Sequence, residues 1–484
     1  MRLDQIVKGV GTAELSGDPA TEISGLAYDS RRVEPGGLFF CVTGMESDGH
    51  EFATAAVDRG AVALVCERPL GLGLAEVLVP DSRAAMAVMA ANFNDHPTRD
   101  LKVAGITGTN GKTTTAFLLR DVLESAGIHS GLMGTVKQLV GGEEEPVERT
   151  TPESVEMQAT FRRMFDAGDE ACVLEASSHA MVLNRCDAIE FDLAVFTNLT
   201  QDHLDFHQDM EDYFQAKRLL FAADPEASVV NIDDSYGQRL AAEFETITYS
   251  AEGSAADYSA FDIVFDVAGA TFSVESEHGT LEVRTGLPGL FNVANALAAL
   301  AGAIALGVTP GDAVAGLSEA GRVPGRFEPI DEGQDFAVLV DYAHTPDSVE
   351  NALRAARELT AGQLIAVVGA GGDRDRAKRP LMGQAASEIA DLTVVTSDNP
   401  RSEEPQAIID DVLDGIADRD AVEVEVDRSA AIRLALATAG PGDTVVIAGK
   451  GHEQGQEFKD GRKIPFDDRE VARGHLRGID GGSP

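Results

Sequence analysis

The chain is poor in positive charge, and in lysine above all. Its 484 residues carry 39 basic against 81 acidic side chains, a formal net charge of −42, and nine of the 39 are lysines. No basic patch is visible along it, which argues against nucleic acid or an anionic membrane surface as a partner. Runs of eighteen apolar residues are missing, although 44% of the residues are hydrophobic. That composition predicts a soluble globular protein without membrane insertion. The first residues, MRLDQIVKGV, lack the basic–apolar–small succession of a secretory signal, so a cytoplasmic location is expected. The four cysteines (Cys41, Cys66, Cys172 and Cys186) include no C-x-x-C pair, which argues against a zinc site or a disulfide framework. The acids are scattered rather than gathered in a tail. Such a surface suits high salt, where self-repulsion is screened, and it predicts a halophilic setting.

What the chain does have is ordered strand–helix punctuation, and its length predicts about three domains. The centre of that order is KVAGITGTNGKTTT, Lys102 to Thr115. Lys102 to Thr107 reads as a short buried strand, Gly108-Thr109-Asn110-Gly111 as a tight turn, and Lys112-Thr113-Thr114 as the opening of a helix. This is a phosphate cradle: backbone N–H groups point at an anion, Lys112 adds charge, and the Thr113 hydroxyl stands where it would reach Mg²⁺. Ile106 occupies the place where the usual G-x-x-x-x-G-K-[ST] pattern has glycine.

Around this stretch the chain predicts an α/β protein in three parts. Residues 1–97 hold short strands and turns, and Asp95-His96-Pro97 breaks the pattern before the cradle. Within them Ser30, Thr43-Gly44 and His50 fall beside strand ends or on loops, equally readable as ligand contacts or as ordinary turns. Residues 98–324 alternate strands and helices, the mark of a parallel sheet, followed by a meander from about 250 to 286. Glu175 ends one predicted strand, His203 follows another in TNLTQDHLDFH, and Lys217 lies on a helical segment. Oxygen ligands and an imidazole at such strand ends fit Mg²⁺ beside ATP phosphates. Residues 325–484 give five strands separated by helices, a second doubly wound sheet. Its strand ends carry Asp341 to His344, Gly371 to Arg374, Asp398-Asn399-Pro400-Arg401 and Gly449 to Glu453, which read as one composite site. Four of the nine lysines (Lys112, Lys217, Lys378 and Lys450) lie in or next to these segments, which suggests chemistry that arginine could not supply.

GITGTNGKTTT, TTPE, LEASSH, TNLTQDHLDFH, FNVANALAA, VPGRFE, VDYAHTPDS, GAGGDRDRAKRP, SDNPR and AGKGHE occur in this order over essentially the whole chain. The succession resembles the Mur ligases, and most of all their MurE type, the UDP-N-acetylmuramoyl-tripeptide synthetases. The resemblance implies an N-terminal α/β uridine-nucleotide domain, a central P-loop ATPase with a mostly parallel sheet, and a C-terminal Rossmann-like doubly wound sheet. It implies that ATP phosphorylates the γ-carboxylate of UDP-N-acetylmuramoyl-L-Ala-D-Glu, and that an amino-acid amine then displaces phosphate, in peptidoglycan precursor synthesis.

Residue by residue, the resemblance assigns Gly108, Thr109, Asn110, Gly111, Lys112, Thr113, Thr114, Asn292, Asn295, Arg326, Asp341 and His344 to ATP. Two Mg²⁺ sites are implied, one on Thr113 and Glu175 and one on His203 and Lys217, the lysine being carbamylated by CO₂. Ser30, Thr43, Gly44 and His50 match the uridine pocket, and Thr150, Thr151, Ser177 and Arg185 the muramoyl-dipeptide contacts. Leu183 replaces a glutamine found in some members. Arg374, Asp398, Asn399, Arg401, Gly449 and Glu453 match the amino-acid site, in the form that resembles enzymes using meso-diaminopimelate. The simpler reading of Arg401 is that it braces its loop. A monomer is expected. The alternatives are a Mur-like ligase with another acceptor (L-lysine, or a folylpolyglutamate-synthetase relative) and an ATP-binding protein without catalysis.

Overall fold

The structure is a computed structural model that describes residues 1–44, 47–147, 149–266 and 268–480. By its internal contacts the chain forms two compact units. The first comprises Met1–Thr107, Ile128–Ala194 and Ala216–Glu226; the second comprises Gly108–Gly127, Val195–Gln215 and the chain from Ala227 onward.

The first unit opens with a five-stranded sheet in the spatial order Glu14–Ser16, Ala75–Leu78, Ala61–Cys66, Gly37–Phe40, Gly25–Ala27. The last four run parallel and the Glu14–Ser16 edge is antiparallel. Alternate residues serve two cores: Leu38, Phe40, Ala63 and Val65 pack on one face, Phe39, Leu64 and Cys66 on the other. Both faces are buried, which is why these strands are apolar throughout rather than alternating. The Ser82–Phe93 helix is started by the Asp81 carboxylate, which accepts from the N–H groups of Arg83 and Ala84. It buries Ala85, Met86 and Met89 against the first of those cores. Farther along, Lys102–Thr107 pairs in parallel with Ala171–Glu175, which pairs in parallel with Ser130–Met133. Glu175 stands opposite Ile106, one residue before the end of the cradle strand.

The second unit holds the Lys112–Ser125 helix and a run of strands, Ala227–Asn231, Ile247–Ser250 and Tyr258–Asp266, in parallel. The meander expected near 250–286 completes that run as antiparallel Tyr258–Asp266, Gly269–Ser276 and Gly279–Thr285. A six-stranded sheet follows, in the order Glu328–Pro329, Ala337–Asp341, Thr444–Ala448, Leu364–Val368, Leu392–Val395, Val422–Val424. All five long-expected strands are there and parallel; Glu328–Pro329 is an antiparallel addition. Leu339, Ala366, Val368 and Val446 face one helical layer, and Val338, Ile365, Val367 and Val445 face the other. Thr444–Ala448 lies between Ala337–Asp341 and Leu364–Val368, so the winding direction reverses there. Loops leaving the carboxyl ends of neighbouring strands diverge at such a point and open a crevice.

Candidate active site

The cradle is a turn that only glycine allows. Gly108 has φ +148°, and a Cβ on it would lie 1.9 Å from Thr197 Oγ1. That hydroxyl donates to the Asn110 carbonyl at 2.6 Å. The Thr109 N–H donates to the Asn198 carbonyl, and the Asn110 N–H to Asn198 Oδ1, both at 2.9 Å. Gly111, at φ +86°, is the N-cap of the Lys112–Ser125 helix, and no side chain caps that end. The first N–H groups of a helix have no partner within it, so such an end can accept an anion. Lys112 folds back over the turn, its Nζ donating to the carbonyls of Gly108 (2.9 Å) and Thr109 (2.8 Å). Ile106 is buried in the strand, and the tight turn begins at Gly108.

A cavity of about 360 Å³ adjoins the cradle, reached by Asn110, Gly111, Thr114, Asn295, Arg326 and Asp341. Asn295 accepts from the Thr115 hydroxyl at 3.3 Å and donates to Asn292 Oδ1 at 3.2 Å; Asn292 in turn donates to the Pro288 carbonyl. Asn292 therefore holds Asn295 and is not itself part of the cavity wall. Arg326 stacks on Tyr342 at 4.5 Å and donates to Thr113 Oγ1 at 2.9 Å. Asp341 accepts from the Phe327 N–H at 2.7 Å. Burial pushes its carboxyl above the usual range, against the lowering effect of Arg326. Asp347, which sequence reasoning passed over inside DYAHTPDS, accepts from Asn110 Nδ2 at 2.8 Å and lines the same cavity.

His344 faces another cluster. Its Nε2 lies 3.8 Å from Asp202, whose carboxylate also meets Lys378 at 3.2 Å and His203 at 3.4 Å. Burial tends to raise the Asp202 carboxyl, but the charges of His203, Lys378 and His344 outweigh it and hold it well below the usual range. Burial, with Lys378 nearby, lowers His344, and its Nδ1 sits 2.8 Å from the Tyr342 carbonyl.

The expected amino-acid site gathers in the C-terminal sheet. Lys450 Nζ donates to Asn399 Oδ1 and Glu453 Oε2, each at 2.9 Å, and Asn399 Nδ2 donates to Glu453 at 2.8 Å. Gly449, at φ +123°, brings its backbone against Asp398; a Cβ there would sit 2.5 Å from Asp398 Oδ2. Arg401, at φ +51°, donates to the Gly372 carbonyl at 2.7 Å, and Arg374 to that of Asp373 at 2.9 Å. Arg401 and the Gly371-Gly372 turn are thus tied together. The buried Arg428–Asp468 pair, with Arg428 also donating to the carbonyls of Ser397 and Ala448, fixes the two strand ends from beneath.

In the first unit Glu175 is buried, its carboxylate accepting from the Thr135 N–H (2.8 Å) and hydroxyl (3.0 Å); that hydroxyl lies 3.0 Å from Thr150 Oγ1. Thr151 donates to the Glu175 carbonyl at 2.7 Å and to Ser177 Oγ at 3.1 Å, and Arg185 donates to the Thr151 carbonyl at 3.1 Å. The four positions expected to contact the dipeptide therefore converge. Lys217 is 1% exposed on the Met210–Ala222 helix. Ser30 starts a short helix capped by Asp29, and Thr43 and Gly44 are exposed. His50 is buried with both ring nitrogens engaged: Nδ1 lies 2.5 Å from Asp48, and Nε2 accepts from the Glu67 N–H at 2.9 Å.

Three family models match in succession: the Mur ligase family catalytic domain at residues 22–98, the Mur ligase middle domain at 106–303 and the Mur ligase glutamate ligase domain at 325–451. A UDP-N-acetylmuramoyl-L-alanyl-D-glutamate–2,6-diaminopimelate ligase of Syntrophomonas wolfei is 46% identical, over 99% of both chains. The chain belongs to the Mur ligase family. A ligase of the same name from Geobacillus thermodenitrificans is 48% identical to this Mur ligase, over 94% of it and 95% of the relative. A solved structure carrying that name superposes with a TM-score of 0.70 at 33% identity, covering 99% of each chain. Among the described residues of this Mur ligase, no helix is long and apolar enough to cross a membrane.

Proposed function

We propose that this Mur ligase is of the MurE type and joins meso-diaminopimelate to the γ-carboxyl of UDP-N-acetylmuramoyl-L-Ala-D-Glu, with ATP as the phosphoryl donor. The observation that carries the reading is the full-length likeness, at 46–48% identity, to ligases named for that substrate and amino acid. In this reading the uncapped helix end at Lys112 receives ATP phosphates, with Asn295, Arg326 and Asp341 toward the rest of the nucleotide. Lys112 leaves the Gly108 and Thr109 carbonyls to meet the transferring phosphoryl group. Thr150, Thr151, Ser177 and Arg185 hold the dipeptide so that its carboxylate attacks in line and an acyl phosphate forms.

The donors assigned to Mg²⁺ are Thr113 and Glu175 for one ion and His203 with a Lys217 carbamate for a second. Hydroxyl, carboxylate, imidazole and carbamate suit a hard cation, and Glu175 is already oriented by Thr135. The chemistry Mg²⁺ supplies when bound is charge neutralisation across the phosphates. Lys217 is buried, and a lysine amine can add to CO₂, which a guanidinium cannot do.

For the acceptor, Arg374 and Arg401 face the carboxylate that diaminopimelate has and lysine lacks, and Asn399 and Glu453 face its distal amine. With lysine bound, an arginine charge would lose its counter-ion, the basis of discrimination. ADP release measured with the UDP-dipeptide and a panel of amino acids, at low and molar salt, tests this. Release with diaminopimelate far above lysine is expected. Equal or better release with lysine would sink the specificity, and no release with any acceptor the activity.

A further inference from the structure

In a chain with twice as many acids as bases, three arginines meet on one carboxylate. Glu153 is 3% exposed. Its Oε2 accepts from Arg83 Nη1 at 2.8 Å and its Oε1 from Arg149 Nη1 at 3.1 Å, and Arg185 Nη2 pairs with Oε1 at 3.0 Å. Glu153 is also the N-cap of the Ser154–Ala167 helix, whose N-terminal dipole adds to the positive side. The next acid on that helix, Glu156, is answered by its own arginine, Arg32, at 3.7 Å. The cluster thus carries three positive charges against one negative. Arg185 registers the surplus. Its Nε is buried without a hydrogen-bond partner among the described residues, and burial, reinforced by the nearby charges of Arg149 and Arg83, lowers the guanidinium against the pull of Glu153. Arg185 also reaches the Thr151 carbonyl, so the surplus lies beside the Thr151–Ser177 hydroxyl pair.

An arginine cluster that a single carboxylate leaves unbalanced is a carboxylate receptor holding a resident competitor. We propose that Arg83 and Arg149 join Arg185 in gripping the α-carboxylate of the substrate's D-Glu, in competition with Glu153, the carboxylate they now share. The proposal rests on the function given above and sharpens it. D-Glu presents two carboxylates, and only the γ one is to attack ATP. A carboxylate whose lone pairs are taken by guanidinium N–H groups is a poor nucleophile. The clamp therefore decides which carboxyl is activated.

The test compares binding of UDP-N-acetylmuramoyl-L-Ala-D-Glu, of its α-amide (D-isoglutamine in place of D-Glu) and of free UDP, by calorimetry on the full chain. Arg149→Gln is the first variant, because its half-exposed side chain is removed with little risk to folding; Arg83→Gln is the second. Each is expected to weaken the acid roughly 10- to 100-fold and to leave the α-amide and UDP within about 2-fold of wild type. Glu153→Gln is expected to move acid binding the other way. Equal losses for acid and amide, or any loss for UDP, would assign the arginines to the diphosphate and overturn the proposal. Unchanged binding of all three ligands, or weaker acid binding by folded Glu153→Gln, would overturn it too. Wild-type protein that binds no UDP-dipeptide would instead refute the function itself, before any variant is made.

Discussion

Lys217 is where the proposed chemistry concentrates at the residue scale. Its amine is withdrawn from water on the Met210–Ala222 helix, in a chain that spends lysine sparingly. Lys217→Arg keeps the positive charge and approximate volume but cannot form a carbamate. It is expected to stay folded by circular dichroism while ADP release falls at least roughly a hundredfold. Lys217→Ala with a small carboxylic acid added should recover part of that loss. Full activity in Lys217→Arg would refute the carbamate. Lys378 and Lys450, the other lysines singled out in the sequence, are buried and paired, with Asp202 and with Asn399 and Glu453. These positions stood out in the sequence because lysine is rare. Arg83 and Arg149 left no comparable trace: arginine is the common cation of this chain, and Arg83 meets Glu153 across 70 residues of sequence.

The C-terminal strands were legible at the element scale because a parallel strand buried on both faces is an unbroken apolar run. Glu328–Pro329 and the Gly455–Glu457/Lys463–Pro465 hairpin carry no such run, and only tertiary pairing reveals them. The same scale governs acid stability. Arg379, fully buried, donates to Glu403, to Asp411 and to the Gly371 carbonyl, and so ties the Lys378–Ile389 helix to the glycine turn before Arg374. The Arg379 hydrogen bond holds the Glu403 carboxyl down to about 2, from an ordinary 4.5. A depressed carboxyl stabilises the fold fully above its unfolded value and loses that contribution as the pH falls toward the folded one. Urea unfolding should therefore show wild type losing stability between pH 4.5 and about 2. Glu403→Gln is expected to lack that part of the loss, and a matching acid slope in the variant would deny the pair its role.

At the scale of the whole molecule the net charge of −42 dominates. Like charges over one surface oppose compactness, and the screening length falls from about 30 Å at 0.01 M salt to about 3 Å at 1 M. The melting temperature and ADP release should both rise from low to molar salt. A flat response in both would reject the high-salt reading of the surface. The arginine clamp and the cradle are the exceptions to that field, small positive sites in an acidic molecule, which is what an enzyme needs to bind anionic substrates at all.

The fit of Gly108 against Thr197 has a consequence for how the family can vary. A side chain at 108 collides with the threonine hydroxyl, and losing that hydroxyl leaves the Asn110 carbonyl without its donor. Gly111 stands in the same relation to Asn295, whose Oδ1 would lie 2.3 Å from an added Cβ. In each pair either partner, changed first, makes a damaged intermediate, and the positive φ at both glycines blocks the double change as well. Single changes at this turn are therefore expected to be costly. A compound that leans on these four residues would meet a target with few mutational exits.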